Sequence, residues 1–289
     1  MKQLVILLLV MIPLVSNGQY KRKKNKVSYA SGTLFGYWGY NRSGYTKSNM
    51  RFAGPGYDFT LKGARAYDNP EKFNASVYFN PNKSTIPQFN VRLGYYFKDN
   101  WAFSFGYDHM KYIFADGNNV SLSGTISEDV NAEWSGVYNA EPVITNRNTF
   151  HYENSDGLNY LRFELTRTDQ WLTVGANDWF AISSNVGLST GGILSFNDFT
   201  FAGEKNVRTI SLSGYALSLH LGPRFEFFRH FFIQPNLGGG FMHQVKVRTR
   251  PNDPSAYARQ AYGYFEFDTV VGFLLYIRSK NGCDSCPTW

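Results

Sequence analysis

The stretch YFEFDTVVGFLLYIR, residues 264–278, decides the fold. Its odd positions, Phe265, Phe267, Thr269, Val271, Phe273, Leu275 and Ile277, are apolar apart from one threonine. Its even positions, Tyr264, Glu266, Asp268, Val270, Gly272, Leu274, Tyr276 and Arg278, mix charge with small and large side chains. A period of two sends these sets to opposite faces of one extended strand. The run outlasts the usual strand of about five or six residues and meets the about nine to eleven that a tilted strand needs to cross a bilayer.

The same alternation recurs upstream. Tyr215, Leu217, Leu219, Leu221, Pro223, Phe225 and Phe227 alternate with Ala216, Ser218, His220, Gly222, Arg224, Glu226 and Phe228. After a turn at Arg229 and His230, the pattern places Phe231, Ile233, Pro235, Leu237, Gly239, Phe241, Val245 and Val247 outward. Gln234, Asn236, Gly238, Gly240, Gln244, Lys246 and Arg248 then face inward. Pro223 and Pro235 mark bulges or strand ends, because proline removes a ladder donor. A third hairpin sets Phe89, Val91, Leu93, Tyr95 and Phe97 against Asn90, Arg92, Gly94 and Lys98. It turns at Asp99 and Asn100 and returns through Trp101, Phe103, Phe105 and Tyr107 against Ala102, Ser104, Gly106 and Asp108. Aromatic residues beside the tight turns, Phe97, Trp101, Phe227 and Phe231, sit where an interfacial girdle belongs.

Composition agrees. Of 289 residues, 18% are aromatic and only 18% charged, whereas about a quarter of a soluble domain is charged. The expectation is an all-β, transmembrane, antiparallel up-and-down β-barrel of about ten strands, with eight or twelve as alternatives. The remaining strands are read at 33–42, 50–64, 72–79, 158–168 and 180–196, with a bulge at Gly54, Pro55 and Gly56. Residues 32–279 form the barrel, and 115–156 form a long extracellular loop, well above ordinary connection length and so a candidate for function. Within it Val120, Leu122, Gly124 and Ile126 alternate with Ser121, Ser123 and Thr125, as if strands continued past the membrane.

The ends read differently. Lys2, an apolar run from Leu4 to Val15, and small residues at Ser16 and Gly18 make residues 1–18 a cleavable signal peptide. The run is too short to span a hydrocarbon core of about 30 Å as a helix. Loss of Lys2 takes the formal charge from +7 to +6 (7 − 1). Residues 19–31 form a basic periplasmic tail carrying Lys21, Arg22, Lys23, Lys24 and Lys26. That run fits a solvated segment or contact with anionic headgroups. Nucleic acid is excluded as a partner, since an exported chain does not meet it. Residues 280–289 form a periplasmic C-terminal tail in which Cys283 and Cys286 can pair locally as a disulfide. The five histidines are scattered, so no metal site and no cofactor is expected.

Inward charges carry the candidate chemistry. Arg92, Asp108, Arg224, Glu226, Glu266 and Asp268 form the expected lumen charge network, with Asp58, Lys62, Arg162, Glu164, His220, Lys246, Arg248 and Arg278 on the same parity. Mixed signs predict ion pairing and a closed or constricted lumen, as narrow barrels are filled by side chains. A narrow pore for ions or small solutes is the alternative.

Three stretches carry a resemblance: GYTKSNMRFAGPGYDFTL at 44–61, YYFKDNWAFSFGYDHMKY at 95–112, and VVGFLLYIR at 270–278. Together with the general pattern they resemble uncharacterised Gram-negative outer-membrane β-barrel proteins of the porin-like small-barrel kind. The resemblance is to architecture; the expected role is a non-enzymatic envelope or surface-interaction one, with outer-membrane lipids, the barrel-assembly machinery and an unknown surface ligand or small solute as partners, and a lipid-modifying hydrolase as a further alternative. One departure is that such chains usually end on an aromatic strand residue, whereas here a tail continues to Trp289. Ser218 and His220, two apart on one face, are similar to the Ser and His of barrel lipid hydrolases in reversed order. They lack a third group to orient the base. A protease of the omptin type shares the strand number, but His243 falls on the lipid-facing parity, away from Glu266 and Asp268.

Overall fold

The computed structural model describes residues 29–277 other than Phe73, Phe79, 84–86, Ala176 and Asn177. The signal segment, the Lys21 to Lys26 run, Arg278 and the Cys283/Cys286 pair lie outside the described residues. Among the described residues, thirteen strands form one sheet. They are β1 (Thr33–Tyr45), β2 (Ser48–Gly54), β3 (Tyr57–Ala64), β4 (Ala66–Tyr67), β5 (Phe89–Lys98), β6 (Trp101–Phe114), β7 (Asn119–Ile126), β8 (Gly136–Ile144), β9 (Phe150–Val174), β10 (Phe180–Phe201), β11 (Glu204–Phe227), β12 (Phe231–Arg248) and β13 (Tyr257–Tyr276). Eight of them, β1, β5, β6, β9, β10, β11, β12 and β13, follow one another antiparallel, and β13 pairs back to β1 to close a ring.

The closed ring thus has eight strands, the lower of the counts considered. Two segments expected to cross do not. Residues 50–64 fold back at Pro55 and Gly56, where Gly56 adopts φ +73°, so what reads as one bulged strand is the β2–β3 hairpin. Residues 72–79 hold a short helix, Ala75–Tyr78, instead of a strand. The 115–156 segment is not an irregular loop, since it contains the β7–β8 hairpin and the start of β9.

The register fixes the barrel's shape. Paired residues lead around the ring from Leu34 through Tyr95, Phe103, Leu165, Leu188, Leu219, Gly239 and Phe265, and return to β1 at Gly44. The path comes back ten residues further along (44 − 34), which is the shear. Eight strands about 4.8 Å apart with a rise of about 3.3 Å per residue then tilt by about 40°. Each residue climbs about 2.5 Å along the axis, so roughly ten residues cross an apolar band about 25 Å tall.

β9, β10 and β11 have 25, 22 and 24 residues, more than twice that need. The excess lies on the side opposite the short turns at Asp99/Asn100 and Phe228/Arg229. Those turns use left-handed residues, with φ of 68° at Asn100, 52° at Phe228 and 64° at Arg229. At the far end β10 and β11 close through Ala202 and Gly203, both left-handed, as a two-residue hairpin demands. Beside them, β2, β3, β7 and β8 extend the sheet outward from β13. The result is a barrel whose upper half stands clear of the membrane as a cap.

Polarity inverts between the halves. Below, the outer surface is apolar: Leu93, Phe105, Phe163, Leu165, Leu188, Leu219, Leu221, Leu237 and Val271 are exposed. Above, the apolar residues turn inside, where Phe52, Phe59, Phe114, Phe150, Phe199 and Phe201 are buried together. Phe52 stacks on Phe199 at 5.3 Å and meets Phe150 edge-on at 5.2 Å. A belt of register shifts separates the two, on β6/β9 near Met110, on β10/β11 near Ile193, and on β12/β13 between Gln244 and Val247. The last of these corrects the expected facing of β12. A bulge adds a residue, so Val247 is buried in the cap and Lys246 is exposed. Asp58 and Lys62, on β3, are likewise exposed and outside the lumen. Pro223 and Pro235 mark neither bulges nor ends. They stand opposite one another where the β11–β12 ladder is interrupted between Leu221/Leu237 and Phe225/Ile233, so neither takes a donor from a partner that needs it.

Candidate functional site

Two parts of the molecule offer chemistry: the lumen and the cap. At mid-height in the lumen, Arg92 from β5 makes a bidentate pair with Asp108 of β6, one arm at 2.8 Å. Arg162 of β9 donates to Asp108 Oδ2, which also accepts from Arg92, at 2.8 Å, and to Glu164 at 2.5 Å. Ser189 of β10 donates to Glu164 at 2.8 Å, and His220 Nδ1 of β11 lies 3.1 Å from the same carboxylate. Arg92, Asp108, Arg162 and Glu164 are all at most 5% exposed, and with Ser189 and His220 this chain of contacts links five successive strands on the lumen side, from β5 to β11. Paired charges of this kind hold one another only if nearly every donor finds an acceptor. Glycines make the room: a Cβ on Gly106 would lie 2.2 Å from Arg92 Cδ, and one on Gly187 would lie 2.2 Å from the His220 ring.

The other expected members fall in separate groups. Glu266 and Asp268, on β13, share the Asn90 amide at 2.5 and 3.2 Å, and Asn236 donates to Asp268 at 2.7 Å. Arg224 lies lower. It donates to Gln234 at 2.7 Å and Tyr96 at 2.9 Å and sits over the Phe232 ring at 4.3 Å. Ser183 donates to Glu226 at 3.3 Å. Arg92 and Asp108 are therefore brought together, Glu266 and Asp268 are brought together, and Arg224 pairs with no carboxylate among the described residues. Sequence reasoning counted Arg162 and Glu164 as inward but not as the centre of the cluster. Their parity was the available signal, whereas their partners on β6 and β10 are set by the register of β9 with those two neighbours.

Ser218 and His220 both face the lumen. Glu164 supplies the orienting carboxylate that the sequence did not reveal. The Ser218 hydroxyl nevertheless makes no hydrogen bond to His220, whose Nδ1 faces Glu164 and Arg162 instead. A nucleophile of this kind requires the base within hydrogen-bond reach. Among the described residues, no group of three or more His, Cys, Asp or Glu is placed to hold a metal. His243 lies on the outer face, 3.2 Å from the Tyr215 hydroxyl.

The cap carries clefts that the sequence did not point to. One of about 400 Å³ opens at its tip between Tyr57, Val130, Glu204, Arg250 and Asp253. Another, of about 240 Å³, lies among Arg147, His151, Glu153, Asp198 and Lys205. There His151 Nε2 is 2.7 Å from Glu153 and Arg147 is 3.0 Å from it. These contacts, His151 first, bring the Glu153 carboxyl down to about 2 despite its partial burial. Each cleft draws residues from several strands, which no local motif announces.

No protein-family model and no curated protein matches the chain. Among solved structures it is similar in shape to the outer membrane protein OprG from Pseudomonas aeruginosa, at 10% identity over 87% of this chain and 100% of that one, with a TM-score of 0.37. It is similar to Ail, the attachment invasion locus protein of Yersinia pestis, at 12% identity over 85% and 99%, TM-score 0.31. A third similarity is to the outer membrane protease OmpT from Escherichia coli, at 7% identity over 87% and 100%, TM-score 0.33. What places the chain physically is its own ring. Only a closed barrel satisfies every strand's backbone in hydrocarbon, and this one wears an apolar belt of the right height, so the chain is an outer-membrane β-barrel protein.

Proposed function

We propose that the chain is a non-enzymatic surface-interaction protein, in which a closed barrel anchors an extracellular cap and the cap's surface does the binding. On this reading residues 1–18 export the chain, the barrel-assembly machinery of a Gram-negative envelope inserts it, and an unidentified surface ligand is its partner. The carrying observation is the length of β9, β10 and β11. Roughly ten residues suffice to cross the apolar band, so the remainder is invested in a structured platform above it. The ion pairs of Arg92, Asp108, Arg162 and Glu164 support the closed state, because bidentate pairs and their flanking side chains occupy the section that water would need.

A narrow pore is the second reading. It draws on one observation: the carboxyls of Asp108, Glu164, Glu226, Glu266 and Asp268 outnumber the guanidinium groups of Arg92, Arg162 and Arg224 among the buried residues. Planar-bilayer recording separates the two. The purified protein is expected to show no steady conductance. Steady conductance would overturn the closed-barrel reading, and Glu266→Gln and Arg224→Gln should then shift ion selectivity in opposite directions, as fixed charges in narrow pores select counter-ions.

A further inference from the structure

On the outer wall, where β5, β6, β9, β10 and β11 pass the belt of register shifts, a cleft of about 480 Å³ faces outward. Its floor is a stack of three rings. Phe89 packs against both Tyr107 and His109, with ring centroids 5.8 and 5.5 Å away and planes within 28° and 26° of parallel. His109 is held by Asn159, 2.8 Å from its Nδ1. Phe196 forms a further wall. Two cations overlook the floor, Lys111 and Arg208. Lys111 takes part in no ion pair among the described residues. Arg208 is tied to Asp156 across the cleft at 2.5 and 3.0 Å, and both of those side chains are largely exposed.

Height decides what meets this cleft. Lys111 stands ten residues above Trp101 on β6 (111 − 101), and at about 2.5 Å per residue that is about 25 Å above the girdle beside the Asp99/Asn100 turn. An apolar band about 25 Å tall that begins at Trp101 therefore ends at Lys111. The ring stack lies at the upper edge of the band, with the cations just above it. Directly below, Phe105 and Phe163 pack together at 5.2 Å on the lipid face. The cleft is continuous with the lipid-facing surface, so a lipid of the outer leaflet would reach it.

We propose that this cleft binds the headgroup of a phosphorylated outer-leaflet glycolipid. A sugar ring would lie on the Phe89 stack, and a phosphate would be held by Lys111 and by Arg208 in place of Asp156. The chemistry fits on both counts. Flat apolar ring faces suit the C–H faces of a sugar, and a guanidinium is suited to bidentate phosphate contacts. An exposed Arg–Asp pair is weak enough to exchange partners. The proposal rests on the outer-membrane placement of the barrel and is independent of whether its lumen conducts.

Native mass spectrometry of the detergent-purified full chain provides the test, with bis-phosphorylated lipid A as the probe. The same lipid A stripped of its phosphates, and inorganic phosphate as a competitor, serve as the comparison arms. The wild type should bind the phosphorylated lipid at least tenfold more tightly than the stripped one. Lys111→Gln combined with Arg208→Gln should remove that preference, while Lys98→Gln at the periplasmic end should leave it intact. Folding of each variant is checked by its faster gel mobility before boiling. If the double variant does not fold, Lys111→Gln alone, which breaks no ion pair, should lower the preference severalfold. Equal binding of the two lipids, an unaffected Lys111→Gln, or an equal loss in Lys98→Gln would overturn the proposal. Full competition by millimolar inorganic phosphate would overturn the lipid as the source of the recognised group.

Discussion

The lumen below the belt of register shifts and the interior above it are two insides of one barrel, built from the same strands. The lower is filled by Arg92, Asp108, Arg162, Glu164, Asn90 and His220, the upper by Phe52, Phe59, Phe150, Phe199, Phe201 and Tyr152. The difference follows from what lies outside. Where hydrocarbon surrounds the wall, apolar side chains gain nothing by turning inward, and polar ones must find partners in the lumen. Where water surrounds it, the hydrophobic effect gathers the rings inside, as in any soluble core. The wall itself barely changes. β10 keeps one parity throughout, with Asn185 and Ser189 inside below and Phe199 and Phe201 inside above. β12 instead shifts by a bulge to turn Val247 in. β11 is less regular, because Leu212, Ile210 and Val207 remain exposed above Tyr215, so the apolar wall climbs higher there.

The largest expected effect is in the lower interior. Asp108→Ala leaves two guanidinium groups without their shared carboxylate and should cost about 3–5 kcal/mol, read from urea unfolding in lipid vesicles. A cost below about 1 kcal/mol would mean that water reaches the pair and the lumen is wet. In the upper interior, Phe150→Ala should cost about 3–4 kcal/mol through the lost ring contacts and the cavity left behind. That loss should register as faster hydrogen exchange in β2, β3 and β7, with the barrel's resistance to unfolding below the belt largely retained. Uniform loss over both halves would show that they are not separable.

The outer surface offers a smaller contrast. Leu221→Arg, in the middle of the lipid-facing run of β11, should cost about 2–4 kcal/mol, and Val207→Arg near its top at most about 1 kcal/mol. Equal costs would extend the lipid boundary up to Val207. The mildest test uses pH. The Glu153 carboxyl sits near 2 in the folded cap, against an ordinary value of 4.5. A depressed carboxyl contributes stability that is complete above its unfolded value and lost as pH falls toward its folded one. Cap unfolding followed from pH 5 to pH 2 should steepen in the wild type and flatten in Glu153→Gln. Superimposable profiles would remove the His151 and Arg147 contacts from the account.

The sequence made the lower half legible and the upper half much less so, for the same physical reason. A strand between lipid and a polar lumen alternates sharply, so 215–227, 231–241 and 264–277 declare both their faces. Strands around a water-surrounded aromatic core alternate too, but the extra residues at Ser213 on β11 and after Gln244 on β12 shift the phase, and the pattern blurs there. Gly54, Pro55 and Gly56 fit a bulge or a reversal equally well, and only the pairing of Ala53 with Asp58 decides for the hairpin. β8 is exposed along most of its length, so it leaves no burial pattern to read. Arg162 meets Asp108 because it is paired with Gly106 across the β6–β9 ladder, a register between two strands far apart in sequence that neither strand encodes alone.

The central claim, that the wall passes from lipid to water at the belt of register shifts, is tested most directly with spin labels on the outer face in reconstituted vesicles. With Cys283 and Cys286 replaced by serine, single labels are placed at Leu188 and at Lys246. Collisions with oxygen, which concentrates in lipid, are compared with collisions with a water-soluble nickel chelate. The account predicts that oxygen dominates at Leu188 and nickel dominates at Lys246. Oxygen dominance at Lys246 would put the cap inside the membrane and contradict it.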